Sequence, residues 1–461
     1  MIRKDVRNMR TNGLAWLLSA AAALFGTAAC DDGGGSEGDG GTDTDADTDT
    51  DGGADTDTDV DTDTDSDTDS DSDLECTADD MYWIWDLSVM PPEDTQICAH
   101  VRGEGANVHV LVEDDAWGAS VDQDAVDNLI AAWDTASPAD PERGIFEIVT
   151  AAFGDPPDAF DDDPKIWLFL YEMDGFGDAS FDGYFKVDDQ LDDAHSNHHE
   201  MLHINSLNNE PDGDYSLSVQ AHEFQHLVHY GADTNETAFV NESMSELAMV
   251  LTGFGADESW VTSWLNDPSD PLMATGPESY NYGVFLLFGD YVYERLGGDF
   301  VAALVADTDN GVASLDALLG AEGTPTTFAE VLGDLALAIA VNDPELEGGE
   351  YGFELIDIDE PDFSPVSTTE TADVSVPGNG GFAFFSSSEG TNGLTLHLVT
   401  GTPDALEVRA AFTGTGGSAL VDAALTGGTT DVALGTWPAG ADLWVTATNA
   451  TGTDVDLQVS F

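Results

Sequence analysis

Apolar residues follow different spacings along this chain of 461 residues, and each spacing predicts a different kind of element. Continuous apolar runs at residues 108–112 and 166–171 are typical of buried strands. Between them, apolar residues recur every three or four positions, which predicts a helix over Asp122–Trp133. Shorter segments at Gly183–Val187 and Met201–Ile204 predict further strands. Strands alternating with helices in this way indicate an α+β fold built on a mixed sheet.

The spacing changes again in the last quarter of the chain. From about Pro365 to Phe461 the sequence is rich in Gly, Thr, Ser and Val. Its short alternating runs are separated by turn signals roughly every 8–12 residues, which predicts a small all-β sandwich with a binding or spacing role. We therefore expect a leader over residues 1–29, a linker over 30–75, an α+β domain over 76–362 and a β-sandwich domain over 363–461.

The first thirty residues have the pattern of an export signal. Four basic residues precede an apolar run, Leu14–Phe25, which is too short to span a bilayer and is typical of a signal peptide. Small residues then lead to Cys30, and the segment resembles the lipobox of bacterial lipoproteins, although Thr27 stands where Leu is usual. This resemblance implies an acylated Cys30 and a chain exported and anchored to a membrane, the cell envelope or the cell surface. The alternative is ordinary secretory cleavage near Ala29.

The linker and the overall charge exclude some partners. Residues 31–75 hold 20 acidic residues and no basic one, so we expect an extended, unstructured tether. Asp47–Gly52 matches the first half of an EF-hand calcium loop, but Thr58 occupies the place of the required Glu, so at most weak cation binding follows. The chain has 92 acidic and 10 basic residues. Such a surface argues against binding to nucleic acid or anionic lipid.

Two cysteines remain after Cys30. In an exported chain, Cys76 and Cys98 predict a disulfide, which would contribute roughly 3 kcal/mol in the chain-entropy model. The alternative is a pair of buried free thiols.

The candidate chemistry lies in the sequence His222-Glu223-Phe224-Gln225-His226. On a helix, His222 and His226 lie one turn apart on the same face, so their imidazoles can converge on one ion. Zinc accepts nitrogen ligands and prefers four-coordination, so a third protein ligand and a water are also needed. Glu223 is placed to accept a proton from that water as a general base.

The surrounding residues set the limits of this helix. We expect it to run over Ser216–Tyr230, with Asp214 or Tyr215 near the N-cap and Gly231 ending it. His229 lies two turns from His222, too far to share one ion, so we expect a packing or supporting role. No third histidine follows, because Ala232 occupies the position of the metzincin ligand.

A second segment, Asn241-Glu242-x-x-Ser245-Glu246-Leu247-Ala248, identifies a resemblance. With the His-Glu-x-x-His motif it is similar to thermolysin-like zinc peptidases, the gluzincins, and more closely to the hyicolysin-type family of bacterial secreted metallopeptidases. The resemblance covers about residues 100–360. It implies a zincin-like metallopeptidase domain with a mixed sheet, an active-site helix and a helical lobe. It also implies Glu242 as the third zinc ligand and Glu246 as the carboxylate that orients a ligating histidine.

The spacing between the two segments departs from the thermolysin pattern. Glu242 follows His226 by 16 positions, whereas taking Glu246 as the ligand would restore the 20 of that pattern. Glu246 lacks the preceding Asn, and choosing it would leave Glu242 without a role. We therefore predict Glu242 as ligand and a short connecting loop over Gly231–Ala238.

Other polar residues have alternative roles. His195, His198 and His199 suggest either a second metal site or, as we prefer, residues at the rim of the site that face substrate. Tyr282 and Tyr280 are candidate oxyanion donors, although a tyrosine in an apolar helical stripe is more often part of a core.

These observations predict a zinc endopeptidase that uses a metal-activated water. We expect one catalytic Zn²⁺, with Ca²⁺ as a further candidate ion, a protein or peptide substrate, no nucleic-acid partner, and a monomer. The alternatives are a non-catalytic, lipid-tethered adhesin or binding protein on a zincin scaffold, and a zinc hydrolase for a non-peptide substrate. The complete set of His222, Glu223, His226 and Glu242 argues against the adhesin.

Overall fold

A computed structural model describes residues 75–461 except 159, 177–180, 208–209, 257, 275–280, 322–326, 359–365 and 389. The predicted signal peptide, Cys30, nearly all of the linker and Tyr280 lie outside the described residues, as does the boundary between residues 362 and 363. The four segment limits therefore stay predictions. Among the helices that are described, none is both long enough and apolar enough to cross a membrane.

A six-stranded mixed sheet forms the first half of the described chain, which confirms that prediction. Its strands are β1 Met81–Asp86, β2 Glu93–Glu104, β3 Val108–Glu113, β4 Ile166–Tyr171, β5 Gly183–Phe185 and β6 Met201–Asn205. They are ordered β1-β2-β3-β4-β6-β5, with β3, β4 and β6 parallel and the other neighbours antiparallel. Strand β5 is shorter than predicted because a 3-10 turn begins at Val187.

Helices cover one face of this sheet and continue into a helical lobe. They are α1 Gln123–Asp134, α2 Ile145–Phe153, α3 Asp214–Ala232, α4 Ala238–Thr252, α5 Glu258–Asn266, α6 Tyr282–Leu296, α7 Gly298–Ala306, α8 Val312–Ala321 and α9 Phe328–Val341. Alternate residues of the central strands, such as Leu168 and Leu170, join the core shared with the helices. The intervening Phe169 faces a separate aromatic core with Tyr171 and Tyr184. Both faces are thus buried, which explains the continuous apolar runs.

The limits of α3 differ from those predicted for the metal-binding helix. It begins at Asp214 with Gly213 at the N-cap, and no side chain caps it. It also continues through Gly231 to Ala232, so the prediction that Gly231 ends the helix is wrong. A Cβ on Gly231 would lie 2.8 Å from Pro157 Cδ, so this glycine serves a close packing contact rather than a helix stop.

Helix α6 supports α4, the helix that carries Glu242, through a close approach at Gly289. A Cβ on Gly289 would lie 2.2 Å from the Ser243 carbonyl oxygen, too close for any side chain. We expect Gly289→Ala to destabilise the protein by about 1–3 kcal/mol, because the two helices must move apart. Thermal or urea unfolding measures this change. Gly320→Ala, in α8, is the matched control: nothing lies within 4 Å of the added Cβ, so no destabilisation is expected. Equal effects of the two substitutions would contradict the packing argument.

The C-terminal residues form two four-stranded antiparallel sheets. The strands are β7 Thr371–Val376, β8 Gly381–Ser387, β9 Thr395–Thr400, β10 Glu407–Thr413, β11 Ala419–Val421, β12 Thr429–Ala433, β13 Asp442–Asn449 and β14 Val455–Ser460. Their orders are β11-β10-β13-β8 and β12-β9-β14-β7. One apolar core takes residues from both sheets, such as Val408 and Leu443 from the first and Leu398 and Leu457 from the second. This confirms the predicted all-β region.

Polar contacts join this β region to the helical lobe. The Arg409 guanidinium donates to Asp334 of α9 at 2.7 Å and to Glu407 at 2.8 Å. Near the other end of the described chain, Cys76 and Cys98 form the predicted disulfide, which ties the residues before β1 to β2.

Candidate metal centre

Helix α3 brings the two predicted histidine ligands together. The Nε2 atoms of His222 and His226 lie 3.0 Å apart, and both side chains are buried. They are adjacent because residues four positions apart in a helix lie one above the other on the same face. Two imidazole nitrogens therefore point to the same small volume.

Helix α4 adds the carboxylate of Glu242 to the same volume. Glu242 Oε2 lies 3.5 Å from His222 Nε2 and 3.7 Å from His226 Nε2. This oxygen is buried and has no hydrogen-bond partner among the described residues. A buried carboxylate oxygen without a partner is costly unless a ligand neutralises it.

The spacing of these three atoms fits a zinc ion. In a tetrahedral site with bonds of about 2.0–2.1 Å, two ligand atoms lie ~3.3 Å apart. The three observed separations, 3.0, 3.5 and 3.7 Å, bracket that value. His222, His226 and Glu242 together are thus able to hold one divalent metal ion.

Neighbouring side chains fix the orientation of both imidazoles. His222 Nδ1 donates to Glu246 Oε1 at 3.3 Å. His226 Nδ1 contacts Asn241 Oδ1 and lies 2.9 Å from Ser245 Oγ. With Nδ1 as the donor in each ring, the lone pair of Nε2 is free to bind a metal. Asn241, Ser245 and Glu246 therefore act on the candidate site through the histidines.

The support of His226 extends to His229 through a chain of hydrogen bonds. Ser245 Oγ accepts from His226 and donates to Gln225 Oε1 at 2.5 Å. Gln225 Nε2 in turn contacts His229 Nδ1 at 3.3 Å. His229 is completely buried. Its position matches the predicted supporting role rather than that of a ligand.

We expect Ser245→Ala to weaken zinc binding by about 10–100-fold, because His226 loses an acceptor and Gln225 loses a donor. A competition titration against a chromophoric chelator measures the affinity. Ser243→Ala is the matched control, since Ser243 lies on the same buried helix and its hydroxyl has no hydrogen-bond partner among the described residues. If both variants bind zinc equally well, Ser245 has no role in orienting His226.

The two histidines and the candidate base have different pKa values because their electrostatic surroundings differ. Burial lowers the pKa of His222, but the carboxylates of Glu242 and Glu246 outweigh it and raise the value to about 10. Burial lowers the pKa of His226 to about 3. Glu223 is also buried, which raises the pKa of its carboxyl to about 7. Because a metal displaces protons from its ligands, zinc binding should release a proton from His222.

Strand β5 lies beside Glu223. The Phe185 N–H donates to the Glu223 carboxylate. The Asn205 N–H donates to the Asp182 carbonyl oxygen at 2.9 Å. In an antiparallel pair the hydrogen-bonded residues alternate, so residues 182 and 184 form the backbone hydrogen bonds to β6. Gly183 and Phe185 therefore direct their backbone groups away from β6. The last strand of the described sheet thus runs past the candidate base.

Tyr282, the candidate oxyanion donor, lies at the start of α6. Its ring centroid is 6.2 Å from that of His222, and the side chain is partly exposed. The structure therefore brings Tyr282 to the neighbourhood of His222.

The three histidines before β6 make contacts with the sheet and its loops. His195 Nδ1 lies 2.8 Å from Asp94, and the ring packs on Trp83. His199 Nδ1 lies 2.6 Å from Asp161, and its ring stacks on Trp167.

His198 adopts a positive φ of 59° and packs against Phe160. Further along, the buried His203 Nε2 donates to Asp189 Oδ2 at 2.9 Å, and its ring stacks on Tyr184. These contacts give the four histidines packing roles. The preferred prediction of a rim facing substrate gains no support from them.

The fold also gathers carboxylates that we did not predict together. Asp158, Asp161 and Glu200 could hold a metal ion, and Asp161 contacts His199. The only sequence signal is the density of Asp over residues 158–163, since Glu200 joins them from a distant part of the chain. Cys98 also lies near His100 and Asp114, but its sulfur is committed to the disulfide.

Comparisons with known proteins add little to this description of the site. No protein-family profile matches the sequence, and no curated protein matches it. Among solved structures, the chain is similar to the pre-peptidase C-terminal domain of a collagenase from Bacillus anthracis, with a TM-score of 0.17 and 8% identity over 21% of this chain and 90% of that one. A likeness at that level bears on neither fold nor function.

Proposed function

We propose that this protein is a zinc-dependent endopeptidase. The observation that carries the proposal is the meeting of three buried ligand atoms, from His222, His226 and Glu242, with a buried Glu223 on the same helix as the two histidines. The resemblance of the two motif segments to hyicolysin-type peptidases supports it. When bound, zinc would acidify a coordinated water and polarise the scissile carbonyl.

The remaining chemistry belongs to the side chains. Glu223 would accept a proton from the attacking water and later deliver it to the leaving amine. Burial favours proton uptake by Glu223, because it raises the pKa of the carboxyl. The Phe185 N–H holds the carboxylate in place. Tyr282 is the candidate donor to the developing oxyanion.

The position of β5 favours a peptide over other substrates. It is the last strand of the described sheet and lies beside Glu223, and an extended peptide is the ligand that can add to the edge of a sheet. Because the Phe185 N–H already donates to Glu223, a peptide would pair with the other outward groups of the strand. This position supports the endopeptidase over a general zinc hydrolase.

The predicted leader and the disulfide support a location outside the cytoplasm. A Cys76–Cys98 disulfide is typical of an oxidising compartment outside the cytoplasm. We propose export and attachment through an acylated Cys30, with the acidic linker holding the catalytic domain away from the membrane. The β region would then serve as a binding module or as a spacer, as the sequence predicts.

The test is cleavage of a denatured protein such as casein by the full-length chain loaded with zinc. We expect internal cleavage that a zinc chelator abolishes and added zinc restores. A chain that binds zinc but leaves denatured proteins intact would favour the adhesin. Cleavage that persists after the chelator has removed zinc would contradict metal catalysis.

A further inference from the structure

Helix α5 packs against strand β8 of the β region. Trp264 of α5 is completely buried, and its ring meets the Phe382 ring edge-on at a centroid distance of 5.1 Å. The Phe384 ring lies 6.3 Å from Trp264 in a similar orientation. Phe382 belongs to the same apolar core as Trp264 and Leu272, not to the core between the two β sheets. Strand β8 therefore contributes a side chain to the core of the helical lobe.

Backbone hydrogen bonds fix the loop that follows α5 to the same part of the β region. The Leu272 N–H donates to the Gly380 carbonyl oxygen at 3.2 Å, and the Met273 N–H donates to the Asn379 carbonyl oxygen at 2.8 Å. These two acceptors form a turn that is itself fixed, because the Gly380 N–H donates to the Asn449 carbonyl oxygen at 2.9 Å. The loop is thus held by the β region.

The same loop reaches the N-terminus of α6 through Asp270. Its carbonyl oxygen accepts from the Trp264 indole N–H at 3.1 Å, and its Oδ2 accepts from the Asn281 side-chain amide at 3.2 Å. Asn281 is the N-cap of α6, since its Oδ1 accepts from the Gly283 N–H at 3.1 Å. Tyr282 is the first residue of that helix. The hydrogen bond from Asn281 to Asp270 therefore fixes the point where α6 begins.

Helix α5 also contacts the start of α6 directly. A Cβ on Gly283 would lie 2.3 Å from the Trp260 carbonyl oxygen, so the two backbones touch. The Trp260 ring centroid lies 5.9 Å from that of Tyr282, which in turn lies 6.2 Å from that of His222. A continuous series of contacts thus leads from β8, through α5, to the side chain beside a candidate metal ligand.

We propose that the β region positions Tyr282 for catalysis. Phe382 and the turn at Asn379 and Gly380 hold α5 and its loop against the start of α6, so Phe382 is a positioning residue that acts through Trp264. This inference rests on the proposed function, because Tyr282 is the candidate oxyanion donor. Such a donor must lie within about 2.7–3.1 Å of the developing charge. A displacement of about 1 Å at the start of α6 is therefore enough to slow the reaction.

The test compares Phe382→Leu with Phe385→Leu in the full-length, zinc-loaded chain. Both positions are buried on β8, but Phe385 belongs to the core between the two β sheets. Residues three positions apart in a strand point to opposite faces. The two substitutions make the same chemical change, so a loss of stability alone affects both variants. Only Phe382→Leu removes the ring that contacts Trp264.

A quenched fluorescent peptide that the wild type cleaves gives kcat and KM separately. We expect Phe382→Leu to lower kcat by about 10-fold with KM and zinc content unchanged, because an oxyanion donor acts on the transition state. Phe385→Leu should keep the wild-type kcat. In a Tyr282→Phe background, Phe382→Leu should cause no further loss, because its effect acts through the Tyr282 hydroxyl.

A second measurement detects the positioning of Tyr282 without catalysis. A 3-fluorotyrosine incorporated in place of Tyr282 gives one fluorine NMR resonance. We expect Phe382→Leu to shift or broaden this resonance and Phe385→Leu to leave it unchanged. A wild-type chain that cleaves no peptide would refute the proposed function, and the fluorine resonance would still decide whether the β region holds Tyr282 in place.

Two results would overturn the proposal. One is that Phe382→Leu and Phe385→Leu have the same kcat and the same fluorine resonance. The other is that Phe382→Leu causes its full loss in the Tyr282→Phe background, which would mean that it acts by another route. If Phe382→Leu does not fold, Asp270→Ala removes the acceptor of Asn281 at a partly exposed position. Asp267→Ala, at an exposed position of the same loop, is then the control.

Discussion

Replacing Glu223 with Gln is expected to lower the rate of peptide hydrolysis by about 10²–10⁴-fold while zinc stays bound. Gln has nearly the same shape, and its carbonyl oxygen can still accept from the Phe185 N–H. It cannot accept the proton of the attacking water at neutral pH. The loss therefore falls on the chemical step rather than on folding or metal binding.

The measurement combines casein cleavage with zinc content on the same preparation. Glu142→Gln is the matched control, since it makes the same chemical change at an exposed position and should leave both quantities unchanged. If Glu223→Gln cleaves casein as fast as Glu142→Gln, the proposed general base is wrong. If Glu223→Gln loses its zinc, Glu223 acts as a metal ligand rather than as the general base.

Substitutions at Glu242 and Glu246 are expected to differ in their effect on zinc affinity. Glu246→Gln should weaken binding by about 10–100-fold, because His222 keeps a hydrogen-bond acceptor but loses the charge that orients it. Glu242→Gln should weaken it more, because the anionic ligand itself is lost. The distances support this order: Glu242 Oε2 faces both Nε2 atoms, whereas Glu246 contacts Nδ1 of His222 on the far side of the ring.

A competition titration of the two variants and the wild type decides between the two carboxylates. Both variants replace a buried Glu of α4 by Gln, so each serves as the control for the other. A larger loss in Glu246→Gln would assign the ligand to Glu246 and restore the longer spacing of the thermolysin pattern.

The candidate site was accessible from the sequence because its main distances are set within helices. His222 and His226 are four positions apart on α3, and Glu242 and Glu246 are four positions apart on α4. Helical geometry alone places each pair on one face. The connection between the helices was the open question, and the loop Asp233–Thr237 is as short as the 16-residue spacing predicted.

The sheet was predictable for a similar reason. Strands buried on both faces need apolar side chains at every position, and such runs occur at β3 and β4. Helix limits were predicted less well. Gly231 is a frequent helix terminator by type, but here it is helical because Pro157, from a distant segment, packs against it.

Contacts between distant segments could not be predicted from spacing. His195 meets Asp94 across 101 positions, and His199 meets Asp161 across 38. The pairing of Glu236 with Gly311 likewise spans 75 positions. Only the fold brings these groups together, so the contacts of these residues emerged from the structure.

The measurement that tests the central claim most directly is the zinc content of the full-length chain, together with X-ray absorption at the zinc edge. We predict one zinc per chain, with two imidazole nitrogens and oxygen ligands at about 2.0–2.2 Å, and no bound zinc in His222→Ala/His226→Ala. An unchanged zinc content in that double variant, or a wild-type chain that binds no zinc, would contradict the account.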